Sequence, residues 1–317
     1  DMGTFVGDPG LEHKEDLETA SRACAKGGVT SFLEMPNTNP LAINQREIDN
    51  KHSIAARKSR VNWGFFIGAT NANIEDLKVA KRVCGIKVFM GASTGDLLVD
   101  DPMALERIFA ETDKRRVIAL HAEDEAFLKG RRSQFDGRTD LPAYTEWRNV
   151  EAAYRATKTA IDLARKHQHR AHILHVSSAR ECELFKPGDA LVTTETSPHH
   201  LLMNVDDYAR IGNLAKMNPP LKYRADNAGL WHALRDGRIG MIATDHAPHT
   251  LEEKRRDMWK APAGIPAIEN SLAVILDASS RGQCTLEQVA LWMCENPAKA
   301  YRMKGKGRIE IGADADL

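Results

Sequence analysis

The chain lacks most of what would mark it for several large protein classes. Its 317 residues carry 44 Lys+Arg against 44 Asp+Glu, so the basic excess of a nucleic-acid-binding face is missing. No apolar run approaches the roughly 18–20 residues that span a bilayer. Low-complexity tracts are absent, and at 42% hydrophobic residues the chain is too apolar to stay disordered. Cysteine is sparse: Cys24, Cys84, Cys182, Cys284 and Cys294 form an odd, scattered set without a CxxC. That pattern reads as reduced, mostly buried thiols of a cytoplasmic protein. No signal peptide opens the chain. It starts at Asp1 without Met and stops at Asp314–Leu317 in mid-pattern, so further material is expected at both ends.

What is present is an alternation of β-type runs and helical periodicity. A helix is expected over Glu12–Lys26, stopped by Gly27-Gly28. Strands are expected at Val29–Met35, Val61–Ile67, Gly85–Met90, Arg116–His121, Ala171–Val176, Ala190–Glu195 and Arg238–Asp245. Helices fall between them at Gln45–Lys58, Ile74–Arg82, Met103–Lys114, Glu146–His167, Ala179–Phe185 and Asp226–Arg235, and two or three more finish the chain. Residues Asp1–Val6 would supply an eighth strand. Strands alternating with helices imply parallel pairing through right-handed crossovers. Eight such units in this length favour a single α/β domain, a closed (β/α)8 TIM barrel. The rival open doubly wound sheet finds no GxGxxG or P-loop after any strand.

A barrel places its chemistry at the C-terminal ends of its strands. Lys87 lies inside the apolar run Gly85–Met90; His121 ends one strand and His175 another; Glu195–His200 (ETSPHH) follow a third; Asp245 opens Asp245-His246-Ala247-Pro248-His249 after the last. Each has a plain structural explanation. A lysine can snorkel to the rim, a strand-end His is often just a satisfied polar residue, and an Asp there is often a helix cap. Four separate strand ends carrying Lys, His, His and Asp toward one mouth are better explained by a site. Imidazoles with a carboxylate make a zinc-type ligand set, a neutral lysine can take up CO2 as a carbamate, and zinc lowers the pKa of its water toward ~7. Two segments stay open or bland. Lys216–Arg224 (KMNPPLKYR) is either a lid or a rigid connector, and the charged run Glu252–Asp257 is expected to be a solvated face.

These motifs resemble the dihydroorotases of the amidohydrolase superfamily over almost the whole chain. The similar stretches include Asp8-Pro9-Gly10-Leu11, Met35-Pro36-Asn37-Thr38, Gly85-Ile86-Lys87-Val88-Phe89-Met90, His121-Ala122-Glu123-Asp124, Leu174-His175-Val176, Ser197-Pro198-His199-His200, Met217-Asn218-Pro219-Pro220 and Thr244-Asp245-His246-Ala247-Pro248-His249. Asn296-Pro297-Ala298 and Gly312–Leu317 fit as well. The second and last of the longer motifs look more like dihydroorotase than like allantoinase or hydantoinase. The resemblance implies reversible cyclisation of N-carbamoyl-L-aspartate to L-dihydroorotate in pyrimidine biosynthesis. It implies one or two zinc ions, with Lys87 as a carbamylated bridge, His121 and His175 on the second zinc, and Asp245 on the first as acid/base. Asn37 and His249 would hold the substrate carboxylate and Asn218 the ring. A companion β-sandwich would lie outside residues 1–317. A small-molecule substrate is implied, with a homodimer or aspartate carbamoyltransferase as candidate protein partners.

The pattern breaks at the start. The family has a His pair and then an Arg shortly before its Pro-Gly, where the His pair binds the first zinc and the Arg clamps the carboxylate. This chain has Gly3, Phe5 and Gly7 at those places. Three explanations remain open: an altered segment, an enzyme working with a single zinc, or a barrel without catalysis kept as a structural partner. A related cyclic amidohydrolase of hydantoinase or allantoinase type is the further alternative.

Overall fold

The structure is a computed structural model that describes residues 1–92 and 97–316. Leu317, the last residue of the terminal motif, lies outside the described residues. Seven strands run parallel in sequence order: β1 (Ser31–Glu34), β2 (Asn62–Gly68), β3 (Gly85–Phe89), β4 (Val117–His121), β5 (Ala171–Ile173), β6 (Val192–Thr196) and β7 (Met241–Ile242). The ring closes through Thr4, which bridges in parallel to Glu34 on one side and to His246 on the other. The Thr4 amide donates to the Leu33 carbonyl at 3.2 Å, and the Phe5 amide donates to the His246 carbonyl at 2.7 Å. The expected eighth strand is therefore present as a short stave. Register pairs Lys87 with Ala119 and Phe89 with His121.

The pleat sorts the side chains. Ile86, Val88, Ile118, Leu120, Ile173 and Ile242 belong to the outer core, where the strands meet their helices. The alternate positions Leu33, Phe66, Ala119, Leu174 and Ala243 fill the barrel interior with Met2, and Tyr301 and Met303 pack against them. Lys87 and His121 fall in that inner register, so the two-residue period of a strand aims them along the barrel axis. A buried ion pair, Lys51 Nζ to Glu34 Oε2 at 3.1 Å, fixes helix Gln45–Lys58 to the end of β1.

Several boundaries differ from expectation for local reasons. The first helix begins at Leu17, because Asp16 caps it by accepting from the Thr19 amide. The expected helix Glu146–His167 is two helices, Leu141–Trp147 and Val150–His167, separated where Asn149 caps the second by accepting from the Ala152 amide. Ala179–Phe185 tightens to a 3-10 turn at Glu181–Leu184. Helix Ile74–Val79 stops short of Arg82, whose φ is +56°. In the charged run, Lys254 is not solvated: it is 5% exposed and its ammonium donates to the carbonyls of Lys216, Pro262 and Gly264. Its neighbours Arg255, Arg256 and Asp257 are exposed. All five cysteines are free, three of them buried. No helix of the described residues is long and apolar enough to cross a membrane.

His169 sits buried against the edge of the Phe109 ring, 6.0 Å between centroids. Burial is the main cause that lowers its pKa to about 4. The unfolded chain takes up this proton near pH 6.5 and the folded one only near pH 4, so stability is lost as pH falls through that window. The thermal midpoint is expected to drop between pH 7 and pH 5, with roughly 1–2 kcal/mol of the loss from this residue. His169→Asn should show a shallower fall when the same scan is run by calorimetry.

Candidate active site at the barrel mouth

Six of the seven expected site residues line one cleft at the C-terminal ends of the strands: Asn37, Lys87, His121, His175, Asn218 and Asp245. His249 does not line it. Its ring is buried behind Ala263 and Gly264, where Nε2 donates to the Ala263 carbonyl at 3.0 Å and Nδ1 lies 3.1 Å from Lys14 Nζ. His246 is a structural anchor: it meets Glu15 Oε2 at 2.6 Å through Nε2 and accepts the Ala267 and Ile268 amides at Nδ1.

The two histidines converge. His121 Nδ1 lies 3.1 Å from His175 Nε2. On its far side His121 Nε2 meets Glu123 Oε2 at 3.0 Å. That approach is an ion-pair distance only, since His121 Nε2 has no hydrogen-bond partner among the described residues. Glu123 is in turn gripped by Arg148, whose Nε is 3.1 and 3.2 Å from its two oxygens and whose Nη2 reaches the Ala92 carbonyl at 2.9 Å. Burial opposes ionisation of Glu123, yet Arg148 and His121 hold its carboxyl down to about 2. A carboxylate behind an imidazole is the usual way a metal-ligating histidine is oriented. His121 and His175 are the two imidazoles that converge at the cleft. No group of three or more His, Cys, Asp or Glu able to hold a metal gathers among the described residues.

Backbone strain marks the same spot. His175 has φ +38° and Asp245 φ +48°. A left-handed conformation in a residue other than glycine costs of order 1–3 kcal/mol and collects at functional sites. Asp245 Oδ2 and His175 Nδ1 are buried without a hydrogen-bond partner. Burial, then the Glu195 charge, pushes the Asp245 carboxyl well above its usual range, while burial takes Lys87 down to about 7 against the pull of Asp245 and Glu195. Lys87 Nζ rests 4.0 Å from the centre of the Phe89 ring.

The side of the cleft formed by the N-terminal stave is different. Gly3 brings no side chain there and Phe5 brings a buried benzyl group. A Cβ on Gly3 would sit 3.4 Å from Glu195 Oε1, close to ordinary contact. A Cβ on Gly7 would sit 2.2 Å from the Leu11 carbonyl oxygen, so the loop is built around glycine and an arginine cannot enter without moving it.

Three supports hold these residues, and of them Arg148 and Tyr144 were not singled out from the sequence. Glu123 and Arg148 are one, and Arg148 carried no signal because it lies inside an apparently continuous helix. Tyr144 is another: its hydroxyl donates to Asn218 Oδ1 at 2.6 Å, which turns the Asn218 amide NH2 away from that contact. The third is a hydrogen-bond chain. His200 Nε2 donates to the Pro219 carbonyl at 3.0 Å, so His200 Nδ1 accepts from Ser197 Oγ at 2.7 Å, and Ser197 receives His199 Nε2 at 2.8 Å. Segment Lys216–Arg224 is tied down as well, by Lys216 Nζ on the Met258 carbonyl at 2.7 Å and by Thr145 Oγ1 on the Leu221 carbonyl at 3.0 Å. These bonds favour a connector over a lid.

Arg148→Met should unmask the buried Glu123 charge. Breaking a buried pair by removing one partner costs about 3–5 kcal/mol. Urea unfolding is expected to show a loss of that size, and a loss below 1 kcal/mol would contradict the arrangement.

The description "Amidohydrolase family" matches residues 2–317. A dihydroorotase of Halobacterium salinarum is 36% identical over 314 residues, which span 98% of this chain and 72% of that protein. An allantoinase of Bacillus velezensis is 33% identical, covering 100% and 72%. The solved structure of an L-hydantoinase (dihydropyrimidinase) from Arthrobacter aurescens superposes with a TM-score of 0.91 at 28% identity, over 99% of this chain and 73% of that one.

Proposed function

The chain belongs to the amidohydrolase family and is a hydrolase acting on cyclic amides; on that premise we propose that its cleft serves the dihydroorotase reaction of pyrimidine biosynthesis, in the cytoplasm, with one zinc ion held by His121 and His175. Residues 1–317 act in this reading as a single barrel unit. The observation that carries it is the convergence of His121, His175, Lys87 and Asp245 on one cleft.

In the hydrolytic direction water adds across the ring amide. The C–N bond breaks, the carbonyl carbon takes OH and the nitrogen takes H. Zinc between the histidines would supply the Lewis acid that polarises that carbonyl and eases deprotonation of the water. Asp245, whose Oδ2 has no hydrogen-bond partner and lies 3.7 Å from His199 Nε2, and whose carboxyl is easily protonated, takes the water proton and passes it to the leaving nitrogen. Asn218, fixed by Tyr144, offers its NH2 to a ring carbonyl. Asn37 lies at the cleft wall for the substrate carboxylate, whereas His249 supports the wall from behind. Lys87 would add a ligand oxygen if its neutral amine takes up CO2, releasing one proton. The missing first pair of ligands, Gly3 and Phe5, favours one ion over two.

Gly7 favours a second reading. Without an arginine there, selection for a carboxylate-bearing substrate weakens, and a neutral cyclic ureide becomes acceptable. A third role, a barrel without turnover that binds a partner such as aspartate carbamoyltransferase or a second copy of itself, draws on the same replacements.

Purified protein supplied with zinc and bicarbonate is expected to hydrolyse dihydroorotate faster than hydantoin or allantoin. Asp245→Ala should lower the rate by roughly 100-fold to 10,000-fold. Preference for hydantoin or allantoin would select the second reading, and no turnover on any of the three would select the third. Elemental analysis should find one zinc per chain, and the double variant Gly3→His/Phe5→His should bind a second. Two ions in the unaltered protein would exclude the single-ion arrangement.

A further inference from the structure

A second cavity opens at the other end of the barrel, under the N-terminal ends of β5–β7, walled by the segment Leu286–Arg302. Its volume is about 550 Å³, within the roughly 300–1,000 Å³ typical of small-molecule sites. Its lining is electrostatically one-sided although the whole chain is neutral. Arg170, Lys186, Arg235, Arg238, Lys299 and Arg302 face it, against only Asp189 and Asp236.

Both acids are already engaged. Asp236 holds Arg238, with Nη2 at 2.7 Å. Asp189 accepts the Leu191 and Val192 amides at 2.9 and 3.1 Å and lies 3.7 Å from Arg165, outside the lining. The cations are not engaged in the same way. Arg170 is half-buried and donates to the carbonyls of Arg115 and Ala300, with no carboxylate within 4 Å among the described residues. Arg302 stands close enough for its charge to act on Arg170. Lys186, Lys299 and Arg302 have no ion pair among the described residues. Like charges gathered in a concave wall without counter-charge focus a positive potential on the space between them. Guanidinium groups match phosphate oxygens in pairs, and lysine adds a movable point charge. Leu291 lines the same space and offers an exposed apolar surface to the rest of a ligand.

We propose that this cavity binds a phosphorylated small molecule of nucleotide size, its phosphates held by Arg170, Lys299 and Arg302. The site lies at the opposite end of the strands from the catalytic cleft and shares no lining residue with it. It is therefore independent of the hydrolase chemistry.

The test is calorimetric titration of the full chain, without divalent metal and at low salt, using ATP and separately sodium pyrophosphate. Saturable binding near one per chain is expected, weakened at least tenfold in Lys299→Glu/Arg302→Glu. Arg255→Glu/Arg256→Glu makes the same change of charge in residues that lie outside this lining and should leave affinity within twofold. Thermal unfolding checks that both variants fold, and ATP should raise the midpoint of the unaltered protein but not of Lys299→Glu/Arg302→Glu. Equal affinity for the two probes assigns recognition to the phosphates alone; much tighter ATP adds the nucleoside portion. No saturable binding of either probe, or equal weakening in both double variants, would overturn the proposal.

Discussion

Everything at the mouth of this barrel depends on a stave only a few residues long. Among the described residues, Thr4 bridges both to Glu34 in β1 and to His246 in the segment after β7. The Asp1 carboxylate reinforces it, accepting the Thr244 amide at 2.7 Å and the Thr244 hydroxyl at 2.8 Å. With the ring closed, the two-residue period of each strand aims Lys87 and His121 at one point. Opened, the same side chains would line a twisted ramp with no common focus. Gly3 and Phe5 flank Thr4, so the segment retains its closing role while offering neither imidazole nor guanidinium to the cleft. Hydrogen bonding by backbone and chemistry by side chains can thus part company within three residues.

The cleft accordingly has two unequal halves. On one side a relay of Arg148, Glu123 and His121 is rigid, buried and charge-balanced. On the other, Asp245 and Glu195 share a poorly solvated region with Lys87 as their counter-charge. The first half is balanced by its own ion pairing. The second sets a carboxyl whose pKa is raised by burial beside an amine whose pKa burial lowers.

The barrel was legible because strand ends, turn glycines and helical stripes repeat in a regular order. The cluster Lys87, His121, His175 and Asp245 was legible because polar residues at the ends of apolar runs need an explanation. Distance along the chain hid the rest. Tyr144 and Asn218 are 74 residues apart, and nothing local in either predicts their contact. The break before Asn149 was masked because helical periodicity runs almost evenly across it. The place of His249 behind Ala263 and Gly264 was hidden because a motif gives spacing but not the side of a wall on which a ring falls. The solvated reading of Lys254 failed for a related reason: three carbonyls from separate loops converge on its ammonium.

The tryptophans have a practical consequence. Trp147 and Trp259 pack edge to face near the mouth, 5.6 Å apart, with the Arg132 guanidinium 3.7 Å from the Trp259 ring. Trp231 and Trp292 form a second pair, 6.4 Å apart, and Trp292 lines the basic cavity at the opposite end. Coupled indoles respond optically to small changes in their mutual angle and in nearby charge. The molecule therefore carries a native chromophore pair at each end beside the separate Trp63, and replacing Trp63 and one pair with phenylalanine would let the other pair report occupancy of its own end without any added label.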